Sequence, residues 1–169
     1  MALSIAARLV LLALLWLLTA CAAPPLARTV ESVAASSWHG RLALRVEADA
    51  VTNQTQSVAA SFELSGDPQQ GALTLYAPLG TIVAQLDWTG QSAVLRRSGE
   101  VRRFASLDDL IGFALGTELP VTALFAWLAG EPMSVAGWNP DLSRYATGHI
   151  LARRTQPAPA AEIRLVLEK

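Results

Sequence analysis

Few side chains in this 169-residue chain are equipped for covalent chemistry, and none sits among the partners it would need. His39 and His149 are the only histidines, and no Cys or His pair has metal-ligand spacing, so no zinc site is expected. Asp108 and Asp109 are adjacent carboxylates, but consecutive residues on a helix point apart. They read instead as charges at the positive end of a helix. There is no Gly-x-Ser-x-Gly, and no glycine loop that would cradle a phosphate. Arg96, Arg97, Arg102 and Arg103 make a basic hairpin. It either touches an acidic partner or lipid head groups, or is the solvated face of two strands. The reactive group that remains is the thiol of Cys21, the only cysteine.

The neighbours of that thiol give it a role. Seventeen of the first twenty residues are Ala, Val, Ile, Leu, Met or Trp, and the single charge among them is Arg8. A basic start, a short apolar run from Leu9 to Leu18 and the small residues Thr19-Ala20 form a secretory signal. A run of ~10 residues is too short for a helix that needs about 20 to cross a bilayer. Leu18-Thr19-Ala20-Cys21 resembles a bacterial lipobox, which implies that Cys21 is acylated (palmitate among its chains) and becomes the mature N-terminus. With no second cysteine, no disulfide can form within the exported chain. Position 22 is Ala rather than the Asp that retains lipoproteins at the inner membrane, so by analogy the protein goes to the outer membrane and faces the periplasm. The Pro24-Pro25 stretch reads as a tether. The expected organisation is a signal peptide over 1–20, a lipidated N-terminus and tether over 21–36, and one domain over 37–169.

Composition narrows the function class. A formal charge of −1 with 16% charged residues excludes a polybasic nucleic-acid binder and a disordered polyelectrolyte. About 150 mature residues suffice for one core and disfavour a multidomain enzyme. Period-two alternation runs through Trp38, Leu42, Leu44 and Val46, with Arg41, Arg45 and Glu47 opposite. It recurs in Val58, Ala60, Phe62 and Leu64, then in Leu73, Leu75 and Ala77, and in Ile82, Ala84, Leu86 and Trp88. Two shorter strands flank Ser98-Gly99, a hairpin turn. Such segments, separated by turn residues, predict an antiparallel meander or barrel. At Ser106 the period becomes helical: Leu107, Leu110, Ile111, Ala114 and Leu115 form one stripe ended by Gly116, and Pro120 to Ala129 a second helix ended by Gly130. Both are apolar enough to need cover on more than one side. Beyond Pro132, strands are expected over Tyr145–Arg153 and Glu162–Glu168.

Three ordered stretches resemble the LolB family of outer-membrane lipoproteins. They are Trp38-His39-Gly40-Arg41-Leu42-Ala43-Leu44; Leu73-Thr74-Leu75-Tyr76-Ala77-Pro78-Leu79-Gly80 followed by Val83-Ala84-Gln85-Leu86; and Leu107-Asp108-Asp109-Leu110 through Leu119-Pro120-Val121 to Trp127-Leu128-Ala129-Gly130. The resemblance implies an incomplete antiparallel barrel, mainly β, covered by a short-helix lid around a hydrophobic cavity. It implies a protein, not an enzyme, that accepts lipoproteins from the periplasmic carrier LolA and inserts them into the outer membrane, with cargo acyl chains as a transient ligand and no cofactor. The family's protruding loop falls on Pro78, Leu79 and Gly80. Trp38, Leu44, Phe62, Leu75, Leu86, Phe113, Phe125 and Trp127 are the expected cavity lining. A monomer is expected, held to the membrane through Cys21. The family often has Trp where this chain has Leu64, and the short stretch after Trp138 predicts a more open barrel, one hairpin fewer. The alternative is a structural lipoprotein whose barrel core is filled.

Overall fold

The computed structural model describes residues 36–48, 54–115, 118–135 and 137–168. The signal segment, Cys21, Pro24-Pro25 and Gly116 lie outside them. Six strands follow one another as β1 (Ser37–Val46), β2 (Gln56–Gly66), β3 (Gly71–Tyr76), β4 (Ile82–Thr89), β5 (Ser92–Arg97) and β6 (Glu100–Phe104). Helices α1 (Leu107–Leu115) and α2 (Val121–Leu128) come next, then β7 (Trp138–Asp141), β8 (His149–Arg154) and β9 (Ala161–Leu167). All nine strands join one antiparallel sheet in the order β6-β5-β4-β3-β2-β1-β9-β8-β7. Strands β6 and β7 end that order unpaired with each other, so the sheet is an incomplete barrel whose inner face the two helices cover.

The alternation in the sequence sets the two faces. Leu44, Val46, Ala60, Phe62 and Leu64 are buried, while Arg41, Arg45 and Glu63 are exposed. Gly40 allows the meander to close on its own C-terminal strand. A Cβ there would stand 2.1 Å from the carbonyl oxygen of Val166, so no larger residue permits β9 to come this close to β1. Ser98 and Gly99 take φ of 53° and 82°, the two left-handed positions of a tight hairpin turn.

One strand departs from the expected pattern. Leu75 pairs with Ala84 but Tyr76 pairs with Ile82, leaving Val83 as an extra residue in β4. This bulge turns Ile82 outward, where it is 52% exposed, and sends Val83 to the inner side in its place.

Helix α1 starts on a reciprocal cap. The Ser106 hydroxyl accepts the Asp109 N–H at 3.0 Å and donates to the Asp109 carboxylate at 2.7 Å. Cover on more than one side holds for α2, where Val121, Ala123, Phe125, Ala126, Trp127 and Leu128 are buried, but not for α1. Leu110 is the buried residue of α1, and Phe113 is 54% exposed. The reason is position: α1 lies over β5 and β6 at the end of the sheet.

The C-terminal region forms three strands rather than two. Strand β7 is four residues long and contains Pro140, which its place at the sheet edge tolerates. Tyr145–Thr147 is a 3-10 turn that Gly148 ends at φ 79°, so β8 begins only at His149. On its inner side Arg154, 5% exposed, donates to the carbonyls of Glu118 at 3.0 Å and Pro159 at 2.9 Å and lies 5.5 Å from the Trp138 ring. It ties the link between the helices to the β8–β9 turn. Arg154→Met should lose about 3–6 kcal/mol of stability, since it removes two hydrogen bonds from a charged group, each worth roughly 1.5–3 kcal/mol. Urea unfolding measures it, and an unchanged midpoint would show that this tie contributes nothing.

Candidate functional site

The helices do not fill the space above the sheet. Between them lies a cavity of about 240 Å³. Its sheet wall includes Leu44, Phe62, Leu75, Leu86 and Leu95, with Ile163 and Leu165 from β9. Its roof includes Leu107, Leu110, Ile111 and Leu115 of α1 and Val121, Leu124, Phe125 and Leu128 of α2. An apolar lining of this kind holds water poorly and hydrocarbon well.

The cavity has a floor and a mouth. At the floor, Phe125 meets Trp38 at 5.7 Å and Trp88 at 6.3 Å, both edge-on. Trp88 is fixed by its indole N–H, which donates to the Asp67 carbonyl at 3.0 Å. The opposite end of the sheet is where β2 begins, β3 turns into β4 and β5 turns into β6. There Val58 and Val83 border the cavity while each is 40% exposed, which marks the opening.

Leu79 projects from that same end. The Gly80 N–H donates to the Ala77 carbonyl and the Ala77 N–H to the Thr81 carbonyl, both at 2.8 Å. Pro78 presets the first corner, and Gly80 takes φ 80° to bring the chain back into β4. This braced turn holds Leu79 at its apex, 96% exposed. A leucine so placed is presented to solvent rather than folded onto the core.

Of the eight side chains expected to line the cavity, Leu44, Phe62, Leu75, Leu86 and Phe125 border it. Three stand elsewhere. Trp38 packs behind Phe125. Trp127 is fully buried on the far side of α2, 6.0 Å from Trp138, and its N–H donates to the Met133 carbonyl at 2.9 Å. Phe113 lies off the α1 stripe, 5.3 Å from Phe104 and beneath the Arg102 guanidinium at 4.9 Å. Reading the sequence missed Val83, hidden by the bulge. It also missed Ile163 and Leu165, whose alternation is visible in the chain but whose place beside β1 is not.

The outer face carries the charge. Arg96 pairs with Asp87, and Glu162 accepts from Arg153 and Arg164 at 2.6 Å each. The Arg153 hydrogen bond, reinforced by Arg164, holds the Glu162 carboxyl below its ordinary range. Tyr76, donating to Glu63 at 2.7 Å, has its phenol held above the usual value. These perturbed groups are surface pairs. Neither a histidine nor a carboxylate borders the cavity among the described residues.

A family profile described as "Outer membrane lipoprotein LolB" matches residues 37–164. This chain belongs to the LolB family. The outer-membrane lipoprotein LolB of Bordetella petrii is 28% identical over 176 residues, covering 90% of this chain and 87% of the relative. Its counterpart in Thiobacillus denitrificans is 33% identical over 128 residues, covering 73% and 65%. That of Bordetella pertussis is 32% identical over 152 residues, covering 76% and 75%. The matched span of this LolB-family chain holds the cavity lining except Leu165, together with its floor and the Leu79 turn. Among the described residues no helix is long and apolar enough to cross a membrane.

A hollow interior predicts unequal tolerance of added bulk. Ala84 borders the cavity, whereas Ala152 is fully buried and does not. Ala152→Leu should cost about 1–3 kcal/mol through overpacking, and Ala84→Leu much less. Thermal unfolding of the two variants compares them; equal losses would mean the space beside Ala84 is not free.

Proposed function

We propose that this outer-membrane lipoprotein receives lipoproteins from a soluble periplasmic carrier of the LolA type, shelters their acyl chains in its cavity and releases them into the outer membrane. The observation that carries the reading is an apolar cavity opening at the same end of the sheet as a braced, exposed leucine. A filled core, which a purely structural lipoprotein would have, does not fit that void.

The energetics require such shelter. Each buried methylene is worth about 0.8 kcal/mol, so a chain of ~16 carbons cannot wait in water between carrier and membrane. No covalent step or prosthetic group is needed, only a descending order: carrier cavity, this cavity, bilayer. Cargo bulkier than the resting void needs a roof that lifts. Helix α1 suits that role, because Leu110 is its buried residue. Helix α2 stays put, held through Trp127 on Trp138 and by the Tyr145 hydroxyl donating to the Leu128 carbonyl at 2.9 Å. Leu79 contacts the membrane at release; its burial supplies roughly 1.5–3 kcal/mol, enough to bias docking but not to drive transfer. The lipid on Cys21, outside the described residues, keeps the mouth near its target.

Transfer from a loaded carrier to proteoliposomes bearing this protein tests the scheme. Leu79→Glu should still strip cargo from the carrier yet deliver several-fold less to the bilayer. Normal delivery by that variant would remove the loop from the mechanism, and failure of the unaltered protein to take cargo would remove the cavity.

A further inference from the structure

One charged side chain borders the apolar cavity among the described residues: Arg97. It ends β5, and because Arg96 pairs with Gln85, Arg97 stands beside Ala84 and Val83 at the mouth. It also borders a second pocket, shared with Ser98, Glu100, Arg102, Phe113 and Ala114. Its register partner on β6, Glu100, accepts from Arg102 at 3.2 Å while Arg102 lies over Phe113. Arg97 makes no hydrogen bond or ion pair among the described residues, so its five N–H donors are open to a guest.

A guest whose tail fills the cavity has to leave its polar end where that end stays solvated or gains hydrogen bonds, because burying it unpaired is costly. The mouth is that place, and a guanidinium offers five N–H donors and no acceptor. We propose that Arg97 and the pocket beside it bind the oxygen-bearing head of the guest, at the ester, amide or carboxylate group where an acyl chain begins. The inference rests on the acyl-cavity reading above and adds a polar anchor to it. The anchor sets which end of the guest enters last and leaves first.

The test uses the full lipidated protein in phospholipid nanodiscs, titrated with dodecanoate and with dodecyltrimethylammonium, empty nanodiscs supplying the background. The two probes share a tail and differ in head. The unaltered protein should prefer the carboxylate. Arg97→Gln should weaken dodecanoate binding by roughly tenfold or more, the scale of a charge-assisted hydrogen bond, and leave the ammonium probe unchanged. Arg97→Lys should keep the preference. Equal loss for both probes, or loss for neither, overturns the anchor while leaving the cavity standing. Uptake of neither probe by the unaltered protein overturns both readings.

Discussion

Two short helices have to cover the inner face of a nine-stranded sheet. At about 1.5 Å per residue, α1 and α2 are roughly 13 and 12 Å long. Nine strands spaced by about 4.8 Å span close to 40 Å when laid side by side. Curvature reduces the area to be covered but does not remove the shortfall. The deficit is made up partly by aromatic bulk: Trp38, Trp88 and Phe125 close one end of the space. The rest remains hollow, and the hollow is where the proposed function resides.

The helices share the cover unequally. Helix α2 is packed on both sides, facing the cavity with Val121, Leu124, Phe125 and Leu128 and the C-terminal strands with Trp127. Helix α1 follows the last strand of the meander and lies over β5 and β6. The same chain order that makes α2 a fixed wall makes α1 a cover resting on an edge. The buried Arg154 reinforces the division by gripping the carbonyl of Glu118, just ahead of α2.

What could be read in the sequence follows how local each signal is. Strands β1 to β6 were legible because a half-buried strand writes its faces into alternate residues, and the Ser98-Gly99 turn because its backbone demands left-handed positions. The start of α1 was legible in the reciprocal Ser106 and Asp109 cap. The Val83 bulge was not: alternation assumes one residue per pairing site, and nothing in Ile82-Val83-Ala84 marks the extra one. Strand β7 escaped because four residues including Pro140 carry no periodicity. Within the site, Leu44, Phe62, Leu75, Leu86 and Phe125 were legible, whereas Trp38 packs behind Phe125, and Trp127 and Phe113 point elsewhere because aromatic bulk does not say which side of a helix faces a cavity. Leu79 was placed in a protruding loop by the family resemblance; its bracing by Pro78 and Gly80 needed coordinates.

The unpaired edges have a mechanical corollary. A closed barrel made from these strands would have a fixed girth, and enlarging it would mean tearing a complete ladder of backbone hydrogen bonds. Here the strands β6 and β7 that would form that ladder stand apart. The first carries Glu100, Arg102 and Arg103, and the second is short and contains Pro140, both of which discourage a foreign strand from docking. On the proposed function the gap is an expansion joint: spreading the wall around a bulkier guest would break no rung that the resting protein has made.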